Sequence, residues 1–175
     1  MRDLPNVRDE RRRVRTDVLS LFKVARAHLR QNPRSHSAGL GRLFALRKDV
    51  YEHLNQLQHE GLLLDAIAWL EKHARVPRNV TWAWHPRQTS GKGEADLRAT
   101  AKGKILLYAE ATAAAKPQGT ITARLRKALR NLPKCKAKKH YCFVRTTEMA
   151  TAAKRIASIE GLRIAVVCLP FTQFE

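Results

Sequence analysis

The chain has 175 residues, 44% of them hydrophobic, so it can form one domain with a buried core. Its 34 Lys and Arg residues against 15 Asp and Glu residues give a net charge of +19, which exceeds what solubility requires and indicates a polyanionic partner. Nucleic acid is the first candidate, because contacts with phosphates release counterions. A membrane surface is the competing partner, but no stretch approaches the about 20 apolar residues that span a bilayer.

The N-terminal sequence and the cysteines predict a cytoplasmic protein. The sequence MRDLPNVRDERRRVR lacks the apolar segment of a secretory signal. The cysteines Cys135, Cys142 and Cys168 form an odd, unpatterned set, which argues against a disulfide framework and for a reducing compartment. Cys135, His140 and Cys142 could contribute to a zinc site, but a fourth ligand is not evident.

Two helices are predicted in the N-terminal part of the chain. Apolar residues at spacings of three and four predict a first helix that begins near residues 6–9 and ends before Pro33. A loop is predicted over residues 34–41, and a second, longer helix over residues 43–73.

Glu60 of the second helix lies on or beside that helix's apolar stripe. It follows Leu57 by three residues and precedes Leu64 by four. Because an unpaired buried carboxylate is costly, this position predicts a ligand or a partner for Glu60. His59 and the other histidines of this helix are predicted to be partly exposed rather than to be ligands.

Three strands are predicted to follow. Residues 80–85 have strand propensity, and core packing of their two tryptophans is favoured over a base-stacking platform. Residues 94–100 and 104–110 predict a hairpin. Its connection over residues 101–103 predicts a three-residue loop with Gly103 in the left-handed conformation.

The predicted hairpin gathers three carboxylates on one face. Pairing Thr100 with Lys104 places Glu94 opposite Glu110 and Asp96 opposite Tyr108, with Asp96 on the same face as both glutamates. Neighbours about 5 to 8 Å apart with like charge destabilise a sheet unless a cation lies among them, and carboxylate oxygens suit a hard divalent cation. A solvated polar face is the alternative, and a two-residue loop would reverse the parity of one strand. The other face is predicted to be core: Leu97, Ala99, Ile105, Leu107, Ala109 and Ala111.

The C-terminal part predicts an amphipathic helix over residues 118–131, a strand over 140–146 and a helix over 147–159. A final strand is predicted over residues 163–169, and its continuous apolar character predicts a position inside a sheet. Basic side chains on the first and third helices are candidates for nucleic-acid contact: Arg12, Arg13, Arg124, Arg126, Lys127 and Arg130.

The order of elements predicts an α/β protein. Three consecutive strands form an antiparallel meander, and two helix-to-strand units add further strands by crossover connections. The result is a mixed β-sheet flanked by helices, with an extra N-terminal helix. We predict an N-terminal basic helical segment over residues 1–38 and an α/β core over residues 39–175.

The element order and the acidic residues resemble those of the PD-(D/E)xK, or restriction-endonuclease-like, nuclease superfamily. That family's core is helix, three strands, helix, strand (αβββαβ), and the resemblance extends from about residue 43 to residue 146. The matching residues are Glu60 on the leading helix, Asp96 in the sequence EADL and Glu110 in the sequence AEAT.

The resemblance implies a metal-dependent endonuclease that hydrolyses phosphodiester bonds, with DNA favoured over RNA. Asp96 and Glu110 would coordinate Mg²⁺ (Mn²⁺ being possible), with the carbonyl of Ala111 as a possible further ligand. Glu60 would join the metal shell directly or through water. The basic helix over residues 118–131 would hold the backbone of the cleaved strand.

The sequence departs from the family pattern at two positions. Ala95 replaces the proline before Asp96, and Thr112 occupies the position of the family lysine. A hydroxyl cannot supply the positive charge that helps to orient the attacking water. Lys116, which lies in the following loop, is the candidate for that catalytic role.

Three functions are therefore open. The first is a Mg²⁺-dependent DNA nuclease, and the second is a catalytically inactive nucleic-acid-binding protein on the same fold, which Thr112 would explain. The third is a small basic RNA-binding or structural protein without a site. The first helix is a plausible surface for a homodimer.

Overall fold

The computed structural model describes residues 1–30, 32–86 and 95–171 of the chain. The helices are α1 (Val7–Leu29), α2 (His36–His73), α3 (Thr120–Asn131) and α4 (Thr147–Ile159). The strands are β1 (Arg2–Leu4), β2 (Thr81–Trp84), β3 (Leu97–Ala101), β4 (Lys104–Thr112), β5 (Lys139–Val144) and β6 (Ala165–Cys168). The predicted order of helices and strands is confirmed, and β1 is a strand that the sequence analysis missed.

The six strands form one mixed sheet in the order β1-β2-β3-β4-β5-β6. The pairs β1–β2, β2–β3 and β3–β4 are antiparallel, whereas the pairs β4–β5 and β5–β6 are parallel. Helices α3 and α4 supply the crossover connections that parallel pairs require. The prediction that the last strand lies inside the sheet is wrong, because β6 is an edge strand in the described part of the chain. Its apolar side chains pack against the cores on both faces of the sheet.

Each face of the sheet is covered by a different apolar core. On one face, the C-terminal half of α2 packs against the tryptophans of β2 and against Leu107 and Phe143. On the other face, α3 and α4 pack against Cys142 and Val144. Because successive side chains of a strand point to opposite faces, β5 contributes to both cores. The prediction of a mixed sheet with helices on both sides is confirmed.

The two long helices begin at capping residues. The side chain of Asn6 accepts hydrogen bonds from backbone N–H groups in the first turn of α1. The predicted start of this helix near residues 6–9 is therefore confirmed. The prediction of a loop over residues 34–41 is wrong, because the Ser35 hydroxyl caps α2 by accepting from the backbone N–H of Ala38 at 3.2 Å. The proposed boundary at residue 38 lies within α2, and the division into two segments stays a prediction. None of the helices in the described ranges is both long enough and apolar enough to cross a bilayer.

The hairpin between β3 and β4 has a shorter loop than predicted. Ala101 pairs with Lys104, which leaves a two-residue turn, and both turn residues have positive φ angles, 49° at Lys102 and 71° at Gly103. A β-bulge between Ala99 and Thr100 then shifts the register by one further residue. The bulge restores the parity that a two-residue loop would otherwise reverse, so the predicted core positions are confirmed from Leu107 onward on β4 and at Leu97 and Ala99 on β3. Ile105, which precedes the bulge and pairs with Thr100, is only partly buried and was wrongly assigned to the core.

We expect substitutions at the two turn residues to change the free energy of unfolding in opposite directions. Gly103→Ala should lower the free energy of unfolding by about 1 kcal/mol, because alanine is strained at this positive φ. Lys102→Asn should raise it by a few tenths of a kcal/mol to about 1 kcal/mol, since asparagine tolerates the left-handed region. Urea denaturation of both variants measures these changes, and equal effects of the same sign would contradict the turn geometry.

Candidate functional site

The structure brings Asp96 and Glu110 into contact. Leu97 pairs with Ala109, so the residue before Leu97 and the residue after Ala109 lie opposite each other at the end of the hairpin. The predicted partner of Asp96, Tyr108, instead pairs with Arg98 because of the shorter loop and the bulge. The side chains of Asp96 and Glu110 are hydrogen-bonded to each other.

Backbone hydrogen bonding fixes the orientation of the Asp96 carboxylate. Asp96 is 5% exposed, and its Oδ2 accepts a hydrogen bond of 2.9 Å from the backbone N–H of Ala111. Ala111 lies on β4 directly after Glu110, so one strand supplies both the second carboxylate and the donor that orients the first. The pair is therefore held by the sheet rather than by a loop.

Two carboxylates this close cannot both be ionised without compensation. Loss of hydration, the negative charge of Asp96 and the hydrogen bond that the protonated Glu110 donates to Asp96 together raise the pKa of Glu110 to about 9. Burial, followed by the charges of Glu110 and Asp96, raises the pKa of the neighbouring Cys142 thiol to about 12. A proton therefore holds the carboxylates together at neutral pH, in a position where a divalent cation would relieve the same repulsion.

His59 of α2 lies beside the carboxylate pair, and the sequence analysis did not predict this. It is 1% exposed rather than partly exposed, and its Nε2 lies 3.8 Å from Asp96 Oδ1 and 3.3 Å from the backbone oxygen of His85. Its Nδ1 is buried and has no hydrogen-bond partner among the described residues. The helical spacing from His59 to the buried residues Leu63 and Ala66 was the signal that could have revealed its burial.

Glu60 has a charged partner, but that partner is an arginine of α1. Glu60 is 6% exposed, and its Oε2 accepts a hydrogen bond of 2.7 Å from Arg13 Nη2. Arg13 also donates to Glu10 at 2.6 Å and to Asp17 at 2.7 Å. Burial opposes the charge of Arg13, but its hydrogen bonds to Glu10 and Glu60 outweigh that effect and raise its pKa. Arg13, predicted to contact nucleic acid, is thus engaged in joining α1 to α2.

Among the residues that the structure describes, no group of three or more His, Cys, Asp or Glu side chains is arranged to hold a metal ion. Glu94, the third acid of the predicted cluster, lies outside the described residues. The described part of the site therefore provides two carboxylates, those of Asp96 and Glu110.

Arg98 and Tyr108 lie next to the carboxylate pair. They are paired across β3 and β4, and Arg98 is two residues from Asp96 while Tyr108 is two residues from Glu110. Side chains two apart share a face, so Arg98 is a cation on the same face as both acids. Its Nε is buried and has no hydrogen-bond partner in the described part of the chain. Alternation along β3 places Arg98 on the face of Asp96 in either register, so the sequence carried this signal, and only the pairing of Arg98 with Tyr108 required the observed register.

Lys116 lies in the connection between β4 and α3, and that connection is anchored on both sides of it. The carbonyl of Ala115 accepts a hydrogen bond from Thr146 Oγ1 at 2.8 Å, and the carbonyl of Pro117 accepts one from Thr122 Oγ1 at 2.7 Å. Lys116 is exposed and makes no ion pair with the residues described by the structure. Thr112, by contrast, lies on β4 two residues from Glu110 and so shares its face.

The remaining candidates for nucleic-acid contact are exposed. Arg124 and Lys127 of α3 face solvent, whereas Arg126 and Arg130 form ion pairs with Glu160 at 3.6 and 2.7 Å. The hydrogen bond that Arg130 donates to Glu160 raises the pKa of Arg130. On α1, Arg12 is exposed and lies 3.4 Å from Asp9. The basic surface nearest to β4 in the chain is thus the outer face of α3.

Comparison of the chain with protein-family models, with curated proteins and with solved structures gave no match.

We expect the stability of the protein to fall as the pH rises towards 9, in buffer with EDTA. The pKa of Glu110 is raised from 4.5 to about 9, so between these values the folded state binds more protons than the unfolded state. The stabilising contribution is complete below pH 4.5 and is lost as the pH rises through about 9. Glu110→Gln keeps a neutral hydrogen-bond donor to Asp96, so it should remove this part of the pH dependence and raise the melting temperature near pH 8 by about 3 to 6 °C.

Thermal unfolding from pH 5 to pH 9 measures the effect. Glu71→Gln, which alters an exposed glutamate of α2, is the matched control and should leave the pH dependence unchanged. An unaltered slope in Glu110→Gln would show that the carboxylate pair does not share a proton.

Proposed function

We propose that the protein is a metal-dependent endonuclease that hydrolyses phosphodiester bonds of DNA. The observation that carries this proposal is the contact between Asp96 and Glu110, two carboxylates with limited access to water in a chain of net charge +19. Such a pair is costly unless a cation accompanies it, and a strongly basic surface attracts the polyanion on which that cation would act.

The donor set suits Mg²⁺, with Mn²⁺ as an alternative. Mg²⁺ is commonly bound by one or two carboxylates and completes its coordination with water and substrate phosphate, so the absence of a third acidic ligand among the described residues does not conflict with the assignment. Asp96 and Glu110 would hold the ion. When bound, it supplies an activated water at neutral pH and neutralises charge on the phosphate.

The neighbouring residues have roles that follow from their positions. The N–H of Ala111 orients Asp96, and buried His59 limits access of water to Asp96 from the side of α2. Arg98 supplies a positive charge on the face of the acids, where Thr112 cannot. Arg124 and Lys127, which are exposed on α3, would contact the DNA backbone.

Glu60 has a different role in this proposal from the one that the family resemblance implies. Its ion pair with Arg13 joins the two helices, so we assign it to the support of α2 and leave it out of the metal's ligands. The mixed sheet with helices on both faces supports the restriction-endonuclease-like αβββαβ core, with α2 as the leading helix and β2 to β5 with α3 as the remainder.

A catalytically inactive nucleic-acid-binding protein is the second candidate. Two observations favour it: Thr112 stands where the family has lysine, and exposed Lys116 has no ion pair in the described ranges and lies in an anchored connection. Such a protein would bind nucleic acid in a salt-sensitive manner and would not cleave it with either metal.

Cleavage of supercoiled plasmid DNA in the presence of Mg²⁺ or Mn²⁺ tests the first candidate. We expect Asp96→Asn and Glu110→Gln each to reduce the rate at least 100-fold, because each removes a metal ligand. Glu71→Gln removes an exposed acid and should cleave at the rate of the unaltered protein. Cleavage that persists in both site variants would place the activity elsewhere.

Titration calorimetry with Mn²⁺ separates the two candidates when no cleavage is seen. Binding of Mn²⁺ that Asp96→Asn abolishes would support the metal site, whereas absence of binding would support the inactive protein.

Introducing the missing lysine provides a test by gain of function. Thr112 lies on β4 and shares a face with Glu110, so Thr112→Lys should place an ammonium group next to the attacking water and raise the cleavage rate about 10-fold or more. Ala123→Lys adds the same charge at an exposed position of α3 and serves as the control. Equal stimulation by both variants would show that added charge acts only through DNA binding.

A further inference from the structure

The end of the α1–α2 pair that lies away from the sheet exposes many large apolar side chains. We call residues 19–29 of α1 and residues 36–54 of α2 the helical arm. Nine of the eleven exposed large hydrophobic residues in the described ranges belong to the arm. They are Leu19, Phe22, Val24, Leu29, Leu40, Leu43, Phe44, Tyr51 and Leu54, and Phe44 is 72% exposed.

The arm has no core of its own. No residue of α1 is buried, and the buried residues of α2 begin at His59, outside the arm. Helical segments without a fully buried side chain gain little from packing, which supplies most of the stability of helices in proteins. A partner that covers the arm would supply the missing apolar contacts.

Each helix of the arm has two apolar stripes, and only one is used within the chain. In α1, the partly buried Val18, Leu21 and Ala25 form the inner stripe against α2. Leu19, Phe22 and Leu29 form an outer stripe at spacings of three and seven, which is largely exposed. Residues at these spacings lie along one side of a helix.

The outer stripe of α2 has the same character. Leu40, Phe44, Tyr51 and Leu54 are spaced by four, seven and three residues, and all are exposed. Each of the two helices thus presents an exposed outer stripe in addition to the surface with which it contacts the other helix. This is the arrangement of half of a four-helix bundle.

The size of the exposed surface fits a stable dimer. Eight of these side chains are at least 40% exposed, and at about 200 Å² for a fully exposed large side chain they present on the order of 1,000 Å². That summed area is comparable to the about 800 Å² that each partner contributes to a standard interface.

The charge of the arm permits self-association. The arm carries five basic residues, Lys23, Arg26, Arg42, Arg47 and Lys48, against the acidic residues Asp49 and Glu52. A second arm would therefore meet only moderate repulsion. The arm is about as basic per residue as the rest of the chain, so its exposed apolar area, and not its charge, favours a second copy as the occupant.

We propose that the helical arm is a dimerisation device, in which the outer stripes of two copies of this chain pack around a two-fold axis as a four-helix bundle. A two-fold interface requires a self-complementary surface, and a two-helix layer with exposed stripes on both helices provides one. If the protein is a nuclease, as proposed above, the dimer would bring two carboxylate pairs to the two strands of a duplex.

Light scattering coupled to size-exclusion chromatography, without DNA or metal, tests the proposal. We expect the full chain at about 50 µM to have twice the mass of a single chain, with a Kd of micromolar or below. The double variant Phe22→Glu and Phe44→Glu should weaken association at least 100-fold, since it puts like charges at the centre of the interface. Circular dichroism should report a retained α/β fold, because both side chains are exposed.

Ile159→Glu is the matched control, because Ile159 is also 72% exposed but lies on α4, outside the arm. It should remain dimeric. A monomer at 50 µM, or a dimer that the double variant does not weaken, would overturn the proposal. Sedimentation of the monomer with anionic vesicles would overturn it in favour of a lipid surface. Asp96→Asn should remain dimeric. The cleavage assay and the measurement of mass therefore test the nuclease assignment and the dimer separately.

Discussion

The repulsion between Asp96 and Glu110 is the constraint on which the other features of the site depend. Strand pairing between β3 and β4 brings these carboxylates together, and the backbone N–H of Ala111 keeps Asp96 in place. The contact is tolerated because a proton is held at the pair, with the pKa of Glu110 raised to about 9. A divalent cation would remove the same repulsion and would also give the pair a chemical use, which is why the proposed function is a metal-dependent one.

The basic character of the protein has more than one physical use. Arg13 joins α1 to α2 through Glu60, and Arg126 and Arg130 join α3 to α4 through Glu160. Arg124 and Lys127 remain exposed on α3, the helix that follows β4 in the chain. A count of positive charges therefore indicates a polyanionic partner but does not identify the residues that contact it, because several arginines have structural partners.

The two ends of α2 have different environments, and this difference separates the proposed roles of the two parts of the molecule. The C-terminal half, which includes His59 and Glu60, is buried against the sheet and supports the carboxylate pair. The N-terminal half extends into the helical arm, where the apolar residues are exposed. One continuous helix thus connects the proposed active site to the proposed dimer interface. Because the arm and the sheet contact different parts of that helix, a substitution in the arm can leave the sheet unchanged.

The sequence by itself determined the order of elements, the mixed sheet, the apolar face of the hairpin and the candidacy of Asp96 and Glu110, because these follow from local periodicity and from alternation along strands. It did not determine the register of the hairpin, since a two-residue turn with a bulge and a three-residue loop conserve the same parity. Only tertiary structure decided that Arg13 binds Glu60, that His59 is buried beside Asp96 and that Arg98 pairs with Tyr108. Each of these contacts joins residues that are distant in the chain or depends on that register, and no local pattern specifies such a contact.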